Sequence, residues 1–558
     1  MFAPPAVTVE TIPDGGYILS SPMPLEPYEE SLGVMLRRWA KGSPERTFLG
    51  ERDASGQWNT LTYGEAGGLA DAIAQAFIDR NLGPDRPVMI LSGNSINHAL
   101  VMLGGFISGV PVAPVSVAYS LLSQDFAKLR SIFSEVRPAL LYVEKADLFA
   151  RALNALDLSG VEVVTSTGET DLPTTPLSRL LETTPTQQVE QRFALVSSSS
   201  IAKILFSSGS TGLPKGVVLK RGGTMYIDGG KPLPGMVEQT VRNLADISPT
   251  IYFNVPAGFA MLLPFLERDE ALRQKFFSRL QLIFYAAAAL PQDLWQRLEA
   301  VSLLATGRKV TMTSSWGATE TAPAVTSAHF PIGKAGVIGL PLPGVTIKMV
   351  PNGLKFELRV KGPIVTPGYL HRPDLTAAAF DEDGFYRIGD AGAFADPDDP
   401  GKGITFNGRV AEDFKLSTGT WVHVGTLRVG VQTAAAPVVQ DAVITGHDRE
   451  YIGVLAWPNI QGCREICRDI EGKLPPEDLV RSKEVVNHLR NTLVSYNATQ
   501  EGSATRIGRI MLMTAPPSID ANEITDKGYI NQGAALERRK DLVEMLYAEN
   551  PAAEVIVV

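Results

Sequence analysis

Cysteine and histidine are scarce in this chain of 558 residues, which contains two cysteines and six histidines. Cys463 and Cys467 lie four positions apart in a helical pattern, and two thiols are too few to complete a structural zinc site. The histidines are scattered, with no pair at the spacing of metal ligands. A G-x-S-x-G sequence is also absent, so no nucleophile elbow of the α/β-hydrolase kind is predicted.

A secretory signal and an uninterrupted hydrophobic run are missing as well. The start, MFAPPAVTVETIPDGG, has no basic region followed by an apolar one. The segment 92–124 carries no Asp, Glu, Lys or Arg, but glycines and prolines interrupt it. This pattern is typical of a buried helix followed by a buried strand rather than a membrane span. We therefore expect a cytoplasmic protein that does not cross a membrane.

Positive charge is not in excess, because 51 Lys and Arg residues face 60 Asp and Glu residues, for a net charge of −9. The chain therefore has no global attraction to nucleic acid or anionic lipid, and we expect small-molecule partners. A hydrophobic content of 44% argues against disorder. At about 150 residues per domain, the length predicts two to four domains.

Short apolar runs alternate with amphipathic stretches in the first part of the chain. PVMILSG, PALLYVE and VEVVTS are typical of strands, whereas YGEAGGLADAIAQAFIDR is typical of a helix. This alternation predicts an α/β fold with mostly parallel sheets. Near Lys355 the sequence KFELRVKGPIVTPGYL alternates polar and apolar residues, which predicts antiparallel strands or a small barrel.

A domain boundary is predicted just after the GRV sequence at 408–410. Residues 1–409 would form a large N-terminal domain with mostly parallel sheets and a small barrel-like part. Residues 410–558 have short strands and helices of their own and would form a small α+β domain.

A loop rich in small hydroxyl residues, ILFSSGSTGLPKGVVL at 204–219, is the most distinctive stretch. Glycine lets backbone N–H groups converge on an anion, and hydroxyls add donors. A Walker loop needs its lysine directly after the last glycine, whereas Lys215 follows Pro214. The loop also joins two strand-like segments instead of opening a helix. A P-loop NTPase is therefore disfavoured, which leaves another kind of phosphate loop or a Ser/Gly-rich surface turn.

Four further stretches place polar residues beside turns or strand ends. TSSWGATETAP offers Thr319 as a phosphate donor and Glu320 as a magnesium ligand. YRIGDAG puts Asp390 at a strand end, where acidic residues accept hydrogen bonds from ribose hydroxyls. GRVAEDFKLSTGTWV brings Arg409 to the domain boundary, and EITDKGYINQGAALERRK brings Lys527 between turn residues. Taken alone, Glu320, Asp390 and Lys527 are each typical of a solvated surface.

Taken in order, the five stretches resemble the adenylate-forming acyl-CoA synthetase superfamily, from about Leu61 onward. EITDKGYINQ, GRVAEDFKLSTGTWV and GGTMYIDGGKP are similar to feruloyl-CoA synthetase and its aromatic-acid relatives. The resemblance implies ATP-dependent ligation of a hydroxycinnamic, ferulate-like acid to coenzyme A through an acyl-adenylate, with release of AMP and pyrophosphate. It also implies a requirement for Mg2+ and a mobile C-terminal domain, and it is compatible with a homodimer.

The resemblance assigns roles to individual residues. Thr319 matches an α-phosphate contact, Glu320 the magnesium ligand, and Lys527 the lysine that bridges the acyl carboxylate and the nucleotide during adenylation. The residues that match the loop around the β- and γ-phosphates are Ser207, Ser208, Gly209, Ser210, Thr211, Gly212 and Lys215. The residues that match the adenine and ribose side of the nucleotide site are Ala287, Ala288, Trp316, Gly317, Asp390 and Arg409.

The chain departs from the family pattern at two places. Ala411 stands where the family usually has a charged or polar hinge residue. KGVVLK runs straight into RGGTMYIDGG at Lys220 and Arg221, where the family places several dozen residues that include a wall of the acid pocket. If that segment is truly missing, the alternative function is a nucleotide-binding homologue with impaired catalysis.

Three bulky aromatic residues lie near the expected acid pocket, namely Tyr252, Phe253 and Phe259. They would shorten the pocket and stack on a ring, which favours an aromatic acid over a long-chain fatty acid. A carrier-loading adenylation domain is the nearest rival function, but no carrier segment with a phosphopantetheine serine is evident downstream.

Overall fold

The computed structural model describes residues 4–206, 222–231, 235–286, 290–333, 335–353, 355–469, 472–525 and 528–558. The chain divides into two compact units. Unit I comprises Met1–Pro24, Ser248–Thr366 and Ala377–Val558. Unit II comprises Leu25–Ile247 and Pro367–Thr376.

The strands and helices of the described residues are numbered in chain order. The strands are β1 (Thr8–Thr11), β2 (Tyr17–Ser20), β3 (Thr47–Arg52), β4 (Trp58–Thr62), β5 (Val88–Leu91), β6 (Val112–Val115), β7 (Leu140–Lys145), β8 (Glu162–Thr167), β9 (Thr174–Pro176), β10 (Met225–Tyr226), β11 (Ile251–Asn254), β12 (Leu282–Tyr285), β13 (Thr311–Trp316), β14 (Thr326–Ser327), β15 (Val337–Pro341), β16 (Thr346–Asn352), β17 (Lys355–Lys361), β18 (Tyr386–Phe394), β19 (Ile404–Arg409), β20 (Phe414–Lys415), β21 (Trp421–Val422), β22 (Val439–Thr445), β23 (Ile452–Pro458), β24 (Ile507–Leu512) and β25 (Val555–Val557). The α-helices are α1 (Leu32–Gly42), α2 (Tyr63–Asp79), α3 (Ile96–Ser108), α4 (Ala118–Leu121), α5 (Ala127–Val136), α6 (Ala150–Asn154), α7 (Leu177–Leu181), α8 (Gln187–Phe193), α9 (Val237–Asp246), α10 (Pro256–Arg268), α11 (Glu270–Phe277), α12 (Gln292–Thr306), α13 (Pro373–Ala379), α14 (Val424–Ala434), α15 (Ile460–Cys467), α16 (Pro476–Arg481), α17 (Lys483–Ala498), α18 (Gln532–Arg538) and α19 (Lys540–Tyr547). Short 3-10 turns cover Thr319–Thr321, Pro400–Lys402 and Val410–Glu412.

Unit II contains a five-stranded parallel sheet with the strand order β6-β5-β7-β8-β9. The three apolar runs predicted to be strands are β5, β7 and β8, and every residue of β5 is buried. Helix α2 begins at a capping box, in which the Thr62 hydroxyl accepts from the Glu65 N–H and the Glu65 carboxylate accepts from the Thr62 N–H. The predicted alternation of strands and helices is therefore confirmed.

The apolar segment 92–124 contains helix α3, which is almost wholly buried, followed by the short buried strand β6. Its glycines allow close packing: a Cβ at Gly104 would lie 2.4 Å from a side-chain carbon of Ile73 in α2. Among the residues that the structure describes, no helix has both the length and the apolar character needed to span a bilayer.

Unit I contains an eleven-stranded sheet with the order β1-β2-β16-β17-β18-β19-β15-β14-β13-β12-β11. Only β11, β12 and β13 pair in parallel, and all the other neighbouring strands of this sheet are antiparallel. Strand β17 begins the alternating pattern at Lys355 and pairs antiparallel with β16 and β18, so the first part of that pattern is an antiparallel strand. The large sheet is therefore mixed, and the parallel character predicted from the first part of the chain applies mainly to unit II.

The last part of unit I has a sheet and an apolar core of its own. Strands β22, β23, β24 and β25 form this sheet in that order. Residues of β22, β23, α14 and α17 meet in a buried cluster that includes Ile444, Val454, Val431 and Leu489. This part is α+β, as predicted, and the exact boundary at residue 410 stays a prediction.

A buried lysine links β17 to the chain that follows β19. Lys355 is 3% exposed and donates from Nζ to the Asn407 carbonyl at 3.1 Å. The same ammonium forms an ion pair with Asp413, whose other carboxylate oxygen accepts from the Val424 N–H at the start of α14. One cation therefore holds both flanks of the connection 408–412.

Replacing Lys355 with methionine should lower the free energy of unfolding by about 3–5 kcal/mol, because Asp413 would remain buried without the ammonium, with the His423 ring 3.1 Å from its Oδ2. The double variant Lys355→Met/Asp413→Asn should recover much of that loss, since the amide is neutral and can still accept from Val424. Denaturant unfolding of both variants measures the difference. Equal losses in the single and double variants would contradict a stabilising ion pair at this position.

Candidate active site

Asp390 lies in β18 at an irregular point of the large sheet. It pairs with Arg409 at the end of β19, and the register shifts between Asp390 and Gly392. Gly389, directly before it, has a φ of 80°, in the left-handed region that favours glycine. Such a bulge re-aims the side chain that it carries, and here the Asp390 carboxylate meets Trp316 at the end of β13.

The Asp390 carboxylate is 7% exposed, and its two oxygens have different surroundings. Oδ2 accepts a hydrogen bond of 2.8 Å from the Trp316 indole N–H. Oδ1 lies 3.4 Å from Nε of Arg409 and accepts no hydrogen bond from the described residues. Burial raises the pKa of Asp390, and the Arg409 charge and the Trp316 hydrogen bond counteract this only in part. A buried oxygen of this kind is suited to accept a hydroxyl donor from a ligand.

The turn after Trp316 carries Thr319 and Glu320. It begins at Gly317, where a Cβ would lie 2.0 Å from the Pro323 carbonyl oxygen, so a side chain cannot be accommodated. The turn closes into the short 3-10 segment Thr319–Thr321. The Glu320 carbonyl accepts a 2.7 Å hydrogen bond from the Thr366 N–H, which ties the turn to the chain after β17.

The structure thus brings three predicted nucleotide contacts together, Trp316, Asp390 and Arg409, and places Gly317, Thr319 and Glu320 on the turn that follows the first of them. In the described parts of the chain, no group of three or more His, Cys, Asp or Glu side chains could hold a metal ion. Glu320 is therefore a single candidate ligand. The predicted residues that lie outside the described residues are Ser207, Ser208, Gly209, Ser210, Thr211, Gly212, Lys215, Ala287, Ala288 and Lys527.

The aromatic residues expected beside the acid pocket pack largely against other aromatic rings. Tyr252 meets Phe259 and Phe276 edge to face, at centroid distances of 5.7 and 5.1 Å. Phe253 packs on Phe284 at 5.0 Å. Phe259 is 1% exposed and belongs to the core, whereas Tyr252 and Phe253 are half-buried and retain surface that a ligand could contact.

Two buried ion pairs beside the predicted site residues were not apparent from the sequence. Lys355 and Asp413 lie beside the connection that contains Arg409. Glu523 and Arg539 pair within the stretch that contains Lys527. The charged ERRK end of that stretch was the only signal for the second pair, and charges at a helix end are more typical of the surface.

Two family models match the chain. A model of AMP-binding enzymes matches residues 36–226 and 218–370, and a model of the AMP-binding enzyme C-terminal domain matches residues 415–551. The chain therefore belongs to the AMP-binding enzyme family, whose members form adenylates.

Curated relatives are similar at modest identity. The chain is 26% identical over 510 residues to CymA, a probable non-canonical nonribosomal peptide synthetase of Salinispora arenicola, over 80% of this chain and 6% of that protein. It is 24% identical over 276 residues to the probable acyl-activating enzyme 16 of Arabidopsis thaliana, over 46% of this chain and 36% of that protein. The chain spans well under two thirds of the length of both relatives.

Solved structures show the fold. The A domain of carboxylic acid reductase from Segniliparus rugosus, in complex with AMP and a carboxylic acid, aligns with a TM-score of 0.70 at 17% identity, covering 93% of this chain and 94% of that one. The anthranilate CoA ligase AuaEII, in complex with anthranoyl-AMP, aligns with a TM-score of 0.68 at 18% identity, covering 93% and 99%. The fold is α/β with a large N-terminal domain and a smaller C-terminal domain, as predicted. None of these proteins is a feruloyl-CoA synthetase, so that closer resemblance stays a prediction.

Replacing Asp390 with asparagine should weaken AMP binding about 10- to 100-fold, the cost of losing one hydrogen bond to a charged group. The free energy of unfolding at pH 7.5 should not fall, because the amide can still accept from Trp316 and the buried charge is removed. The direction of the pH dependence of stability follows from the raised pKa of Asp390. The native state favours the protonated carboxyl, so the stability of the wild type relative to the variant should rise as the pH falls through that raised pKa towards the pKa of the unfolded chain.

Calorimetry with AMP and denaturant unfolding at two pH values measure both effects. Unchanged AMP affinity in Asp390→Asn would show that this carboxylate does not contact the nucleotide.

Proposed function

We propose that this chain activates an aromatic, ferulate-like carboxylic acid with ATP and ligates it to coenzyme A, releasing AMP and pyrophosphate. Membership of the AMP-binding enzyme family supports adenylation of a carboxylic acid. The structural observation that carries the proposal is the buried Asp390 oxygen without a described donor, beside Trp316 and Arg409. A ribose hydroxyl would supply the missing donor.

The reaction follows from the chemistry of carboxylates, which are poor electrophiles until one oxygen joins a good leaving group. In the first half-reaction a carboxylate oxygen attacks the α-phosphorus of ATP, an O–P bond forms, and pyrophosphate leaves. In the second, the deprotonated thiol of coenzyme A attacks the acyl carbon, a C–S bond forms, and AMP leaves with that carboxylate oxygen. Lys215 and Lys527 would offset the charge that develops on the phosphates.

The remaining roles are proposed residue by residue. Asp390 and Arg409 would hold the ribose, and Trp316 would orient Asp390 through its indole N–H. Thr319 would contact the α-phosphate. Mg2+, when bound, would neutralise phosphate charge, with Glu320 as its one protein carboxylate and phosphate oxygens and water as its other ligands, which is a usual donor set for this ion. The residues proposed to cradle the distal phosphates and adenine are Ser207, Ser208, Gly209, Ser210, Thr211, Gly212, Ala287 and Ala288.

Two kinds of observation support an aromatic substrate and free coenzyme A. EITDKGYINQ and GGTMYIDGGKP resemble feruloyl-CoA synthetase. Among the solved structures with this fold is an anthranilate CoA ligase that holds anthranoyl-AMP, an aromatic adenylate. The similarity to a peptide synthetase makes a carrier-bound thiol the competing acceptor.

The purified chain should form a thioester with free coenzyme A, and kcat/KM for ferulate should exceed that for palmitate at least about 10-fold, equivalent to ~1.4 kcal/mol. Half-buried aromatic surface at Tyr252 and Phe253 would stack on a ring and limit pocket length. Steady-state assays with both acids measure the ratio. A preference for palmitate would refute the aromatic assignment, and adenylate formation without transfer to coenzyme A would favour a carrier thiol.

The second candidate function is a nucleotide-binding homologue with impaired catalysis. The family model matches in two segments that overlap at 218–226, around the junction of Lys220 and Arg221. The chain after this junction is an integral part of unit II: β10 pairs with β3, and the Gly223 carbonyl accepts from the Tyr63 hydroxyl at 2.8 Å. A short connection at this point is therefore compatible with a folded unit.

If the acid pocket lacks a wall, ferulate should bind weakly while ATP still binds, because the proposed phosphate and ribose contacts do not involve the shortened connection. Isothermal calorimetry with each ligand, combined with the intact mass of the chain, distinguishes the active ligase from the impaired homologue. Tight ferulate binding by a chain of 558 residues would eliminate the impaired homologue as a candidate function.

A further inference from the structure

The stretch that contains Lys527 is fixed at both ends by buried polar side chains. Glu523 is 0% exposed and Gln532 is 3% exposed. The Asn531 N–H donates to the Glu523 carbonyl at 2.9 Å, and Ile524 forms an antiparallel bridge with Ile530. The two ends of the segment 523–532 therefore meet.

At the first end of the segment, the Glu523 carboxylate accepts four hydrogen bonds. Oε1 accepts from Nε of Arg539 at 2.6 Å, and Oε2 accepts from the Ser518 N–H at 2.8 Å. Two longer hydrogen bonds to Oε2 come from Arg539 at 3.3 Å and from Arg538 at 3.2 Å. Burial disfavours the charged carboxylate, but these hydrogen bonds outweigh burial and hold the pKa of Glu523 below its usual value.

The other end is tied to the neighbouring sheet. The Gln532 side-chain oxygen accepts from Arg428 at 2.7 Å and from the Ile444 N–H of β22 at 3.0 Å. Arg428 also contacts Glu412, at 3.4 Å, in the 3-10 turn that follows Arg409. The segment is thus anchored to elements that do not belong to it.

The described flanks of Lys527 are hydrogen-bonded to each other. The Gly528 N–H donates to the Thr525 carbonyl at 2.9 Å, and the Thr525 N–H donates to the Tyr529 carbonyl at 2.8 Å. Asp526 and Lys527 themselves lie outside the described residues. Both chain ends from which they continue are nevertheless defined.

We propose that Glu523, clamped by Arg539, is a positioning residue for adenylation. It touches neither substrate nor nucleotide. It fixes the two described ends of the segment 523–532, and through them it acts on adenylation by Lys527. A long lysine side chain is flexible, so ordered residues on both sides of it lower the cost of placing its charge. This inference rests on the proposed function of Lys527, and it predicts that only one half-reaction depends on Glu523.

The variant Glu523→Gln keeps the side-chain volume but removes the charge that Arg539 clamps. Pyrophosphate release with ATP and ferulate should slow about 10- to 100-fold, the range expected for a misplaced catalytic group. Thioester formation from supplied feruloyl-adenylate and coenzyme A should stay within about twofold. Arg539→Lys keeps the charge but loses the planar fork, so it should give an intermediate loss of the same half-reaction. If Glu523→Gln does not fold, Arg539→Lys tests the inference in its place.

The matched control is Glu544→Gln, which removes the exposed ion pair between Arg449 and Glu544 in the same α+β part of unit I. It should leave both half-reactions unchanged. Thermal unfolding of all the variants tests whether loss of rate simply follows loss of stability.

A double variant separates positioning from general stabilisation. In the Lys527→Ala background, adding Glu523→Gln should slow adenylation no further, because the residue through which Glu523 acts is absent. The inference would be overturned if the two substitutions slowed adenylation multiplicatively in the double variant. It would also be overturned if Glu523→Gln slowed both half-reactions equally. If Lys527→Ala alone leaves adenylation unchanged, the proposed role of Lys527 is itself wrong and the inference fails with it, an outcome that the single variants distinguish.

Discussion

The hydrogen bond from the Trp316 indole to the Asp390 carboxylate joins the two halves of the large sheet in unit I. Trp316 ends β13, the last of the parallel strands, and Asp390 lies at the bulge in antiparallel β18. A buried carboxylate is costly unless its oxygens are hydrogen-bonded, and the indole satisfies only one of them. The other oxygen has no donor among the described residues, and the ribose hydroxyl proposed above would supply one.

The connection between β19 and α14 depends on a second set of charges. Lys355 holds Asn407 before the connection and Asp413 after it, while Arg428 reaches Glu412 within it. Ala411, which stands where the family usually has a charged or polar hinge residue, lies between these anchored points. Because Lys355 bridges the connection, a rotation of the α+β part about it would have to break the Lys355–Asp413 ion pair.

The extent to which the sequence predicts this molecule differs between local and long-range features. Strands β5, β7 and β8 and helix α2 follow from apolar runs and a capping sequence, because those signals lie within each element. The order of the eleven strands does not follow, since pairing of β2 with β16 joins residues more than 300 positions apart. For the same reason the sequence shows Asp390 as a candidate ligand but not the bulge that buries it. Burial of Lys355 and Glu523 is likewise set by distant partners.

The proposed reaction depends on one covalent event, the transfer of a carboxylate oxygen to AMP, and isotope labelling follows that oxygen directly. The chain is incubated with ATP, coenzyme A and ferulate whose carboxylate carries 18O, and the AMP produced is analysed by mass spectrometry. Adenylation predicts one 18O atom in each AMP formed, because the thiol attacks the acyl carbon and leaves the original O–P bond intact. AMP without label, or ADP as the nucleotide product, would contradict the account.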